Sequence, residues 1–440
     1  MFKTLVGAFK NKDIRKKIIY TLLILVVVRV GSLLPIPGVD TNYFSSLLSG
    51  INTGDLSYLL SAFTGGSFER MSLFALSITP YITSSIIMQL LTIAIPKLEE
   101  MQKEGEDGRK KIASITRYVT IGLSLIESIA MAVGFGRSGL IKDSAQLSTL
   151  HYVVCIIVVV AALTAGSAVL MWLGERITEK GVGNGISIVL LINIISGMPS
   201  DFATLYSTFV APKTPAKGVL AAVIILAILI VMVVLVCFLQ DGERRIPVQY
   251  SQKVSGRRTV GGQSTNIPLK VNTAGVMPII FASSLMQFPV IIAQLFGKSY
   301  EWTRYLSSSY WCRVEAPKYS IGLLVYIVLL IIFAYFYTSI TFNPIEVADN
   351  LKKAGGVIPG ITPGKSTSEY LNKILNYIVF IGAVGLLIIA LIPIMCTGFF
   401  NASVSFGGTS IIIIVGVVLE TLKQIESQMC NRYYKGFLSE

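Results

Sequence analysis

Apolar residues in this chain come in long blocks instead of the alternating or three-four spacing of a soluble core. Runs such as Val219–Leu239 and Ile321–Ile340 reach the roughly 20 residues a helix needs to cross the hydrocarbon of a bilayer. Ten stretches are predicted to span it: 18–34, 71–95, 112–135, 152–173, 184–198, 218–239, 273–296, 319–340, 374–396 and 408–425. The fifth is short, and the second and seventh are polar for membrane helices. The second carries Ser77, Thr79, Pro80, Thr83, Ser84, Ser85 and Gln89. Pro80 is expected to kink it, and so many hydroxyls predict a helix facing protein or water. Ile78 and Ile82, four apart, share one face. The fifth opens with Gly181-Val182-Gly183-Asn184-Gly185. That is turn chemistry at a helix start, and Ile186 and Leu190 then repeat the spacing of four. The seventh, with Asn272, Thr273, Gly275, Pro278, Ser283, Ser284, Gln287 and Pro289, is as polar as the second.

Composition agrees with this pattern. Of 440 residues, 53% are apolar and 14% charged, against about 25% charged in soluble proteins. The expected class is an all-α polytopic membrane protein. Lys and Arg set its orientation. With the N-terminus cytoplasmic, 27 of the 37 lie on inside segments or at inner span ends, counting Arg117 and Lys423 there, and 9 lie outside. Arg29, within the first span, is the remaining one. Both termini are thus expected inside. Met1–Lys17 is basic, but no small-residue cleavage site follows the first apolar run, so no cleaved signal peptide is expected.

Several segments depart from the plain membrane pattern. Asp241–Met277 is long, polar and basic, with Arg244, Arg245, Lys253, Arg257, Arg258 and Lys270, and no acid from Ile246 onward. It suggests a docking site for an anionic partner, although inside topology alone would account for the sign of its charge. Asp55–Arg70 holds the apolar core Leu56–Phe63 followed by Gly65-Gly66. It is too short to span and is either an outer-surface amphipathic helix or a movable piece hinged at the glycines. Pro363-Gly364-Lys365-Ser366 imitates a phosphate-binding loop, but Pro359 stands where the motif needs glycine. His151, the single histidine, is an interfacial residue at the outer mouth of the fourth span. Cys155, Cys237, Cys312, Cys396 and Cys430 lack metal-ligand spacing, and only Cys312 lies clearly outside, so no metal or disulfide is expected. Arg29 and Glu127 are the main charges within spans. Arg29 is near a helix end and can snorkel; Glu127 is mid-span and is expected to face a neighbouring helix. This scarcity argues against an ion-coupled secondary transporter, which places ionisable groups at the midplane. A single histidine argues against a lipid-active enzyme. Polar-flanked helices presenting isoleucines fit an apolar constriction that excludes water.

In order along the chain stand Leu34-Pro35-Ile36-Pro37-Gly38, Leu73-Phe74-Ala75-Leu76, Pro80-Tyr81-Ile82, Lys103-Glu104-Gly105-Glu106 and Gly108-Arg109-Lys110-Lys111-Ile112. Next come Met171-Trp172-Leu173-Gly174-Glu175, Gly183-Asn184-Gly185-Ile186-Ser187, Gln263-Ser264-Thr265 and Pro268-Leu269-Lys270-Val271-Asn272. Phe342-Asn343-Pro344, Ala348-Asp349-Asn350-Leu351-Lys352-Lys353 and Phe406-Gly407-Gly408-Thr409-Ser410 complete the series. With these the chain resembles, over nearly its whole length, the bacterial SecY family, the pore subunits of the Sec protein translocation channel.

The resemblance implies ten transmembrane helices in two pseudo-symmetric five-helix halves around an hourglass pore. By position these are a cytoplasmic segment 1–17, a first half 18–198, an external link 199–217, a second half 218–425 and a cytoplasmic tail 426–440. It implies a pore ring of Ile78, Ile82, Ile186, Leu190, Ile280 and Ile413. Beneath the ring would lie a plug within 55–68, with Leu56, Tyr58, Leu59, Leu60, Phe63, Gly65, Gly66 and Phe68. Spans two and three would face seven and eight across a lateral gate marked by Gln89 and Asn272. Arms 241–272 and 342–373 would dock the SecA motor ATPase or the ribosome through Arg244, Arg245, Lys253, Arg257, Arg258, Lys352, Lys353 and Lys365. Small SecE-like and SecG-like membrane subunits, signal peptides, nascent chains and membrane lipid would be further partners. The implied role is a channel, not an enzyme, without cofactor, in the bacterial plasma membrane. The family usually has Arg where this chain has Thr362, with Lys353 and Lys365 nearby.

Overall fold

The computed structural model describes residues 7, 9–41, 64–135, 148–211, 215–250, 253–255, 258–260, 264–295, 301–306, 310–312, 317–400 and 408–435. Its first part comprises α1 (Lys12–Leu33), α2 (Thr79–Ala94), α3 (Pro96–Lys103), α4 (Glu106–Phe135), α5 (Thr149–Lys180) and α6 (Gly185–Leu205). Its second part begins with α7 (Pro215–Asp241), then β1 (Glu243–Tyr250), β2 (Lys253–Ser255), β3 (Arg258–Val260) and β4 (Ser264–Lys270). It continues with α8 (Met277–Leu295), α9 (Glu301–Leu306), α10 (Ile321–Thr341), α11 (Pro344–Lys353), β5 (Gly356–Val357), α12 (Lys365–Phe400) and α13 (Gly408–Lys435). Each predicted span contains a helix. Among the described residues, six helices are long and apolar enough to cross a membrane, or up to seven if one bent pair is a single span. α1 is long, but Lys16, Lys17 and Arg29 break its apolar stretch.

The second span differs most from its prediction. Its helix begins at Thr79, not at residue 71, and Pro80 sits in the first turn. There proline's missing N–H has no helical partner to lose, so Pro80 starts the helix instead of kinking it. The bend falls later, 105° between α2 and α3, where Pro96 opens α3. Upstream, Met71 and Ser77 hold φ of +43° and +52°, outside helical space. That stretch satisfies its backbone by pairing with the chain after α1: Ile36 N–H donates to Met71 O at 3.1 Å, and Leu73 N–H to Leu34 O at 2.9 Å. Its apolar side chains Met71, Phe74, Ala75 and Ile78 are all buried. Elsewhere helices outrun the apolar stretches because their ends continue into polar sequence, as in α4, α5 and α12.

A purely helical fold is corrected by the arm that follows α7. Ile246 and Val248 alternate with exposed neighbours along β1, the period-two pattern of a half-buried strand. β1 pairs antiparallel with β4, from Glu243 opposite Lys270 to Gln249 opposite Ser264. On its other side β1 pairs with β5, Gln249 opposite Val357 and Tyr250 opposite Gly356. The two arms are therefore one module. Ile246, Val248 and Leu269 of the sheet pack with Leu351 of α11, Ile358, and Leu371, Ile374 and Ile378 of α12 in one apolar core.

α4 packs on α2 and α5, and α10 packs on α8 and α12. The first and second parts meet where α4 touches α8 and where α6 packs on α13.

Candidate functional site

Four helices deliver aliphatic side chains to one buried cluster at this junction. Ile78 caps α2 and is 1% exposed; its carbonyl accepts from Ile82 N–H at 3.0 Å, so the spacing of four survives although Ile78 lies outside the helix. Asn184 caps α6, its side chain accepting from Ile186 N–H at 3.2 Å, as the Gly-Asn-Gly sequence predicts. Ile280 comes from α8 and Ile413 from α13, both buried. One cluster contains Ile78, Ile280 and Ile413, with Ile82 and Ile186 packed against it. Leu190 is buried too, but it is not in that cluster. Close packing is built in at Gly174, where a Cβ would stand 2.6 Å from Ile186 Cδ1.

The sequence reading missed several members. Phe281, next to Ile280, stacks edge-on against Phe333 at 5.7 Å and Tyr337 at 6.1 Å between ring centres, and joins the cluster with Ile188, Val189 and Val417. No spacing rule separates these from ordinary core positions. Asn193 was also missed, buried on α6 with Nδ2 donating to Ser77 Oγ at 3.1 Å; its signal is one amide in the apolar run from Ile186 to Ile195.

Gln89 and Asn272 are both largely buried but are not hydrogen-bonded to each other. Asn272 Nδ2 donates to Gly275 O at 2.9 Å, closing its own turn, whereas Gln89 Oε1 is buried without a partner among the described residues. Of the plug positions, Leu56, Tyr58, Leu59, Leu60 and Phe63 lie outside the described residues. Gly65 and Gly66 have φ of +63° and +79°, which glycine adopts at little cost. Phe68 is buried edge-on against Phe135, with 6.4 Å between ring centres.

On the sheet module Arg244 is exposed, and Arg245 is paired with Glu243, Nη2 to Oε1 at 2.6 Å. Lys253 and Arg258 fall on the β2–β3 hairpin, and Arg257 lies outside the described residues. Lys352 and Lys353 end α11, Lys365 opens α12, and all three are exposed. Thr362 is exposed in the turn between, its carbonyl accepting from Thr367 Oγ1 at 2.9 Å. The phosphate-loop imitation is absent in three dimensions as well, because the strand before it, β5, is antiparallel to its neighbour. The arrangement keeps an aliphatic and aromatic cluster away from water and leaves Arg244, Lys352, Lys353 and Lys365 exposed on the sheet module.

Comparisons with known proteins agree. The SecY family model matches residues 72–422. A protein translocase subunit SecY from Streptomyces galbus is 44% identical over the full length of both chains, and one from Halalkalibacterium halodurans is 43% identical over the full length of both. Among solved structures, a protein-conducting channel superposes with a TM-score of 0.60 at 17% identity, covering 94% of this chain and 92% of that one. A channel in a canine ribosome–channel complex from the endoplasmic reticulum gives 0.56 at 17% identity, covering 94% and 92%. At such identity these neighbours speak for the fold, and the family model and relatives speak for kinship: the chain belongs to the SecY family.

Proposed function

We propose that this chain is the pore subunit of a protein-conducting channel, passing unfolded secretory chains across the bacterial plasma membrane and releasing apolar helices sideways into lipid. It is a multi-pass membrane protein and not an enzyme. The observation that carries the reading is the buried apolar cluster drawn from α2, α6, α8 and α13, on both sides of the junction. A shut waist of this kind resists water and ions because wetting an apolar constriction is unfavourable.

In this reading ten spans form two five-helix halves, 18–198 and 218–425, with both termini cytoplasmic. Ile78, Ile82, Ile186, Leu190, Ile280 and Ile413 form the constriction and Leu56–Phe68 the plug. α2 and α4 part from α8 and α10 at a lateral gate near Gln89 and Asn272. The α4–α8 contact supports a closed gate. The sheet module would grip the ribosome, a partner to which channels of similar fold are bound, or a SecA motor. SecE-like and SecG-like subunits would complete the complex. The deciding experiment places the purified complex in proteoliposomes with SecA, ATP and a signal-bearing preprotein. Protease protection of the preprotein is expected; none would refute the channel reading.

A further inference from the structure

The stretch from Thr64 to Ile78 leads directly into the constriction, and neighbouring helices hold both of its ends. At one end Arg29 of α1 donates from Nη1 to the Gly65 carbonyl at 3.4 Å, and Ser196 Oγ of α6 approaches the same oxygen at 3.4 Å. At the other end Asn193 of α6 donates to Ser77 Oγ at 3.1 Å, one residue before Ile78. Between these points Met71 and Ser77 keep positive φ, a conformation that persists only where the surroundings over-determine it. Gly65 cannot be replaced without moving the hold, since a Cβ there would lie 2.6 Å from Ser196 Oγ and 2.9 Å from Asn193 O.

The hold is built to let go. The single hydroxyl proton of Ser196 goes to Asn193 O of its own helix at 2.7 Å, so the hydroxyl stays satisfied when Gly65 leaves. Ser67 Oγ and Ser72 Oγ on the stretch, and Ser167 Oγ on α5, are buried without a hydrogen-bond partner among the described residues. Buried hydroxyls of that kind are stabilised by reaching water, which favours displacement once the ends are freed.

We propose that Arg29 and Asn193 are positioning residues that clamp the Thr64–Ile78 stretch and thereby seat Ile78 in the constriction, so that unclamping this stretch is an opening step of the channel. This rests on the constriction reading.

The test uses the full chain with its co-purifying subunits in liposomes, read by halide efflux. Arg29→Leu is expected to raise the leak about tenfold, equivalent to about 1.4 kcal/mol in the closed–open balance. Arg29→Lys, which keeps a cation within reach, should restore most of the closure. In an Ile78→Asn background Arg29→Leu should add less than about twofold, because coupled residues are non-additive. A tenfold addition there would mean that Arg29 supports the fold generally, and would overturn the clamp. The second readout does not depend on the constriction: Ser72→Cys, in a chain whose native cysteines are alanine, labelled by a water-soluble maleimide. Labelling about tenfold faster with Arg29→Leu, or with Asn193→Leu, is expected. Unchanged labelling in both refutes the clamp, whereas faster labelling with a leak-free Ile78→Asn channel refutes the constriction reading and keeps the clamp.

Discussion

Neutralising Glu243 should strengthen ribosome binding, although Glu243 is itself no candidate contact. Arg245 is held by Glu243 at 2.6 Å, with side chains 67% and 34% exposed, whereas Arg244 is exposed with no ion pair among the described residues. An exposed pair of this kind is worth about 0–1 kcal/mol, which Arg245 must give up before it can meet a phosphate. Freeing it by Glu243→Gln should therefore tighten binding by up to about fivefold, since about 1.4 kcal/mol is tenfold. Each lost phosphate contact flattens the log–log salt slope by about 0.7–0.9. Over a fourfold change in salt, from about 50 to 200 mM, that is about a threefold smaller loss of affinity per contact. Arg244→Ala should show the whole of that change, and Arg245→Ala less. The assay is a salt series of ribosome binding to the complex in nanodiscs. Equal slopes for Arg244→Ala and the parent, together with unchanged affinity for Glu243→Gln, would refute the docking role and leave these cations to topology alone.

Three further outcomes are expected. Ile413→Asn, at a position 1% exposed, buries an amide without a partner at about 1–3 kcal/mol and should raise halide leak at least severalfold; a tight channel would remove Ile413 from the constriction. At Gly322 a Cβ would stand 1.6 Å from Tyr305 O and 2.5 Å from Trp311 Nε1, so Gly322→Ala should cost about 1–3 kcal/mol by overpacking; an unchanged thermal midpoint in detergent would contradict the packing of Tyr305 and Trp311 on α10. Burial pushes the Cys312 thiol up from its ordinary value, which shrinks its reactive thiolate fraction near neutral pH. Impermeant maleimide added outside should label it more slowly than a free thiol at pH 7.5 and keep accelerating above pH 9; labelling at the free-thiol rate would argue against that burial.

What could be read from the sequence follows physical locality. Helices appeared where apolar runs are long, and the α6 cap was legible because Asn184 acts on its own first turn. Ile78, Ile82, Ile186, Ile280 and Ile413 were brought forward by resemblance; spacing alone would have left them as core. The start of α2 was misplaced because what unwinds residues 71–78 is non-local, namely pairing with Leu34 and Ile36 and a polar contact to Asn193. Sheet formation was equally hidden. The alternation at Ile246 and Val248 is visible in the sequence, but the partner β5 lies about a hundred residues away, and no local rule announces it. Arg29 was noted as a charge able to snorkel, yet its acceptor is a backbone carbonyl, which leaves no side-chain signature.

The joining of the two arms has a mechanical consequence. β1 continues almost directly from α7, and β5 leads through a short turn into α12, whose 36 residues run as one helix away from the sheet module. A machine that pulls on either arm loads both, because the strands share hydrogen bonds along their length. Torque applied at the sheet module would thus reach α7 and α12 together, as through a yoke with two shafts. The first part has no shaft in that yoke, so a bound partner could rock the second part against it without first breaking any strand.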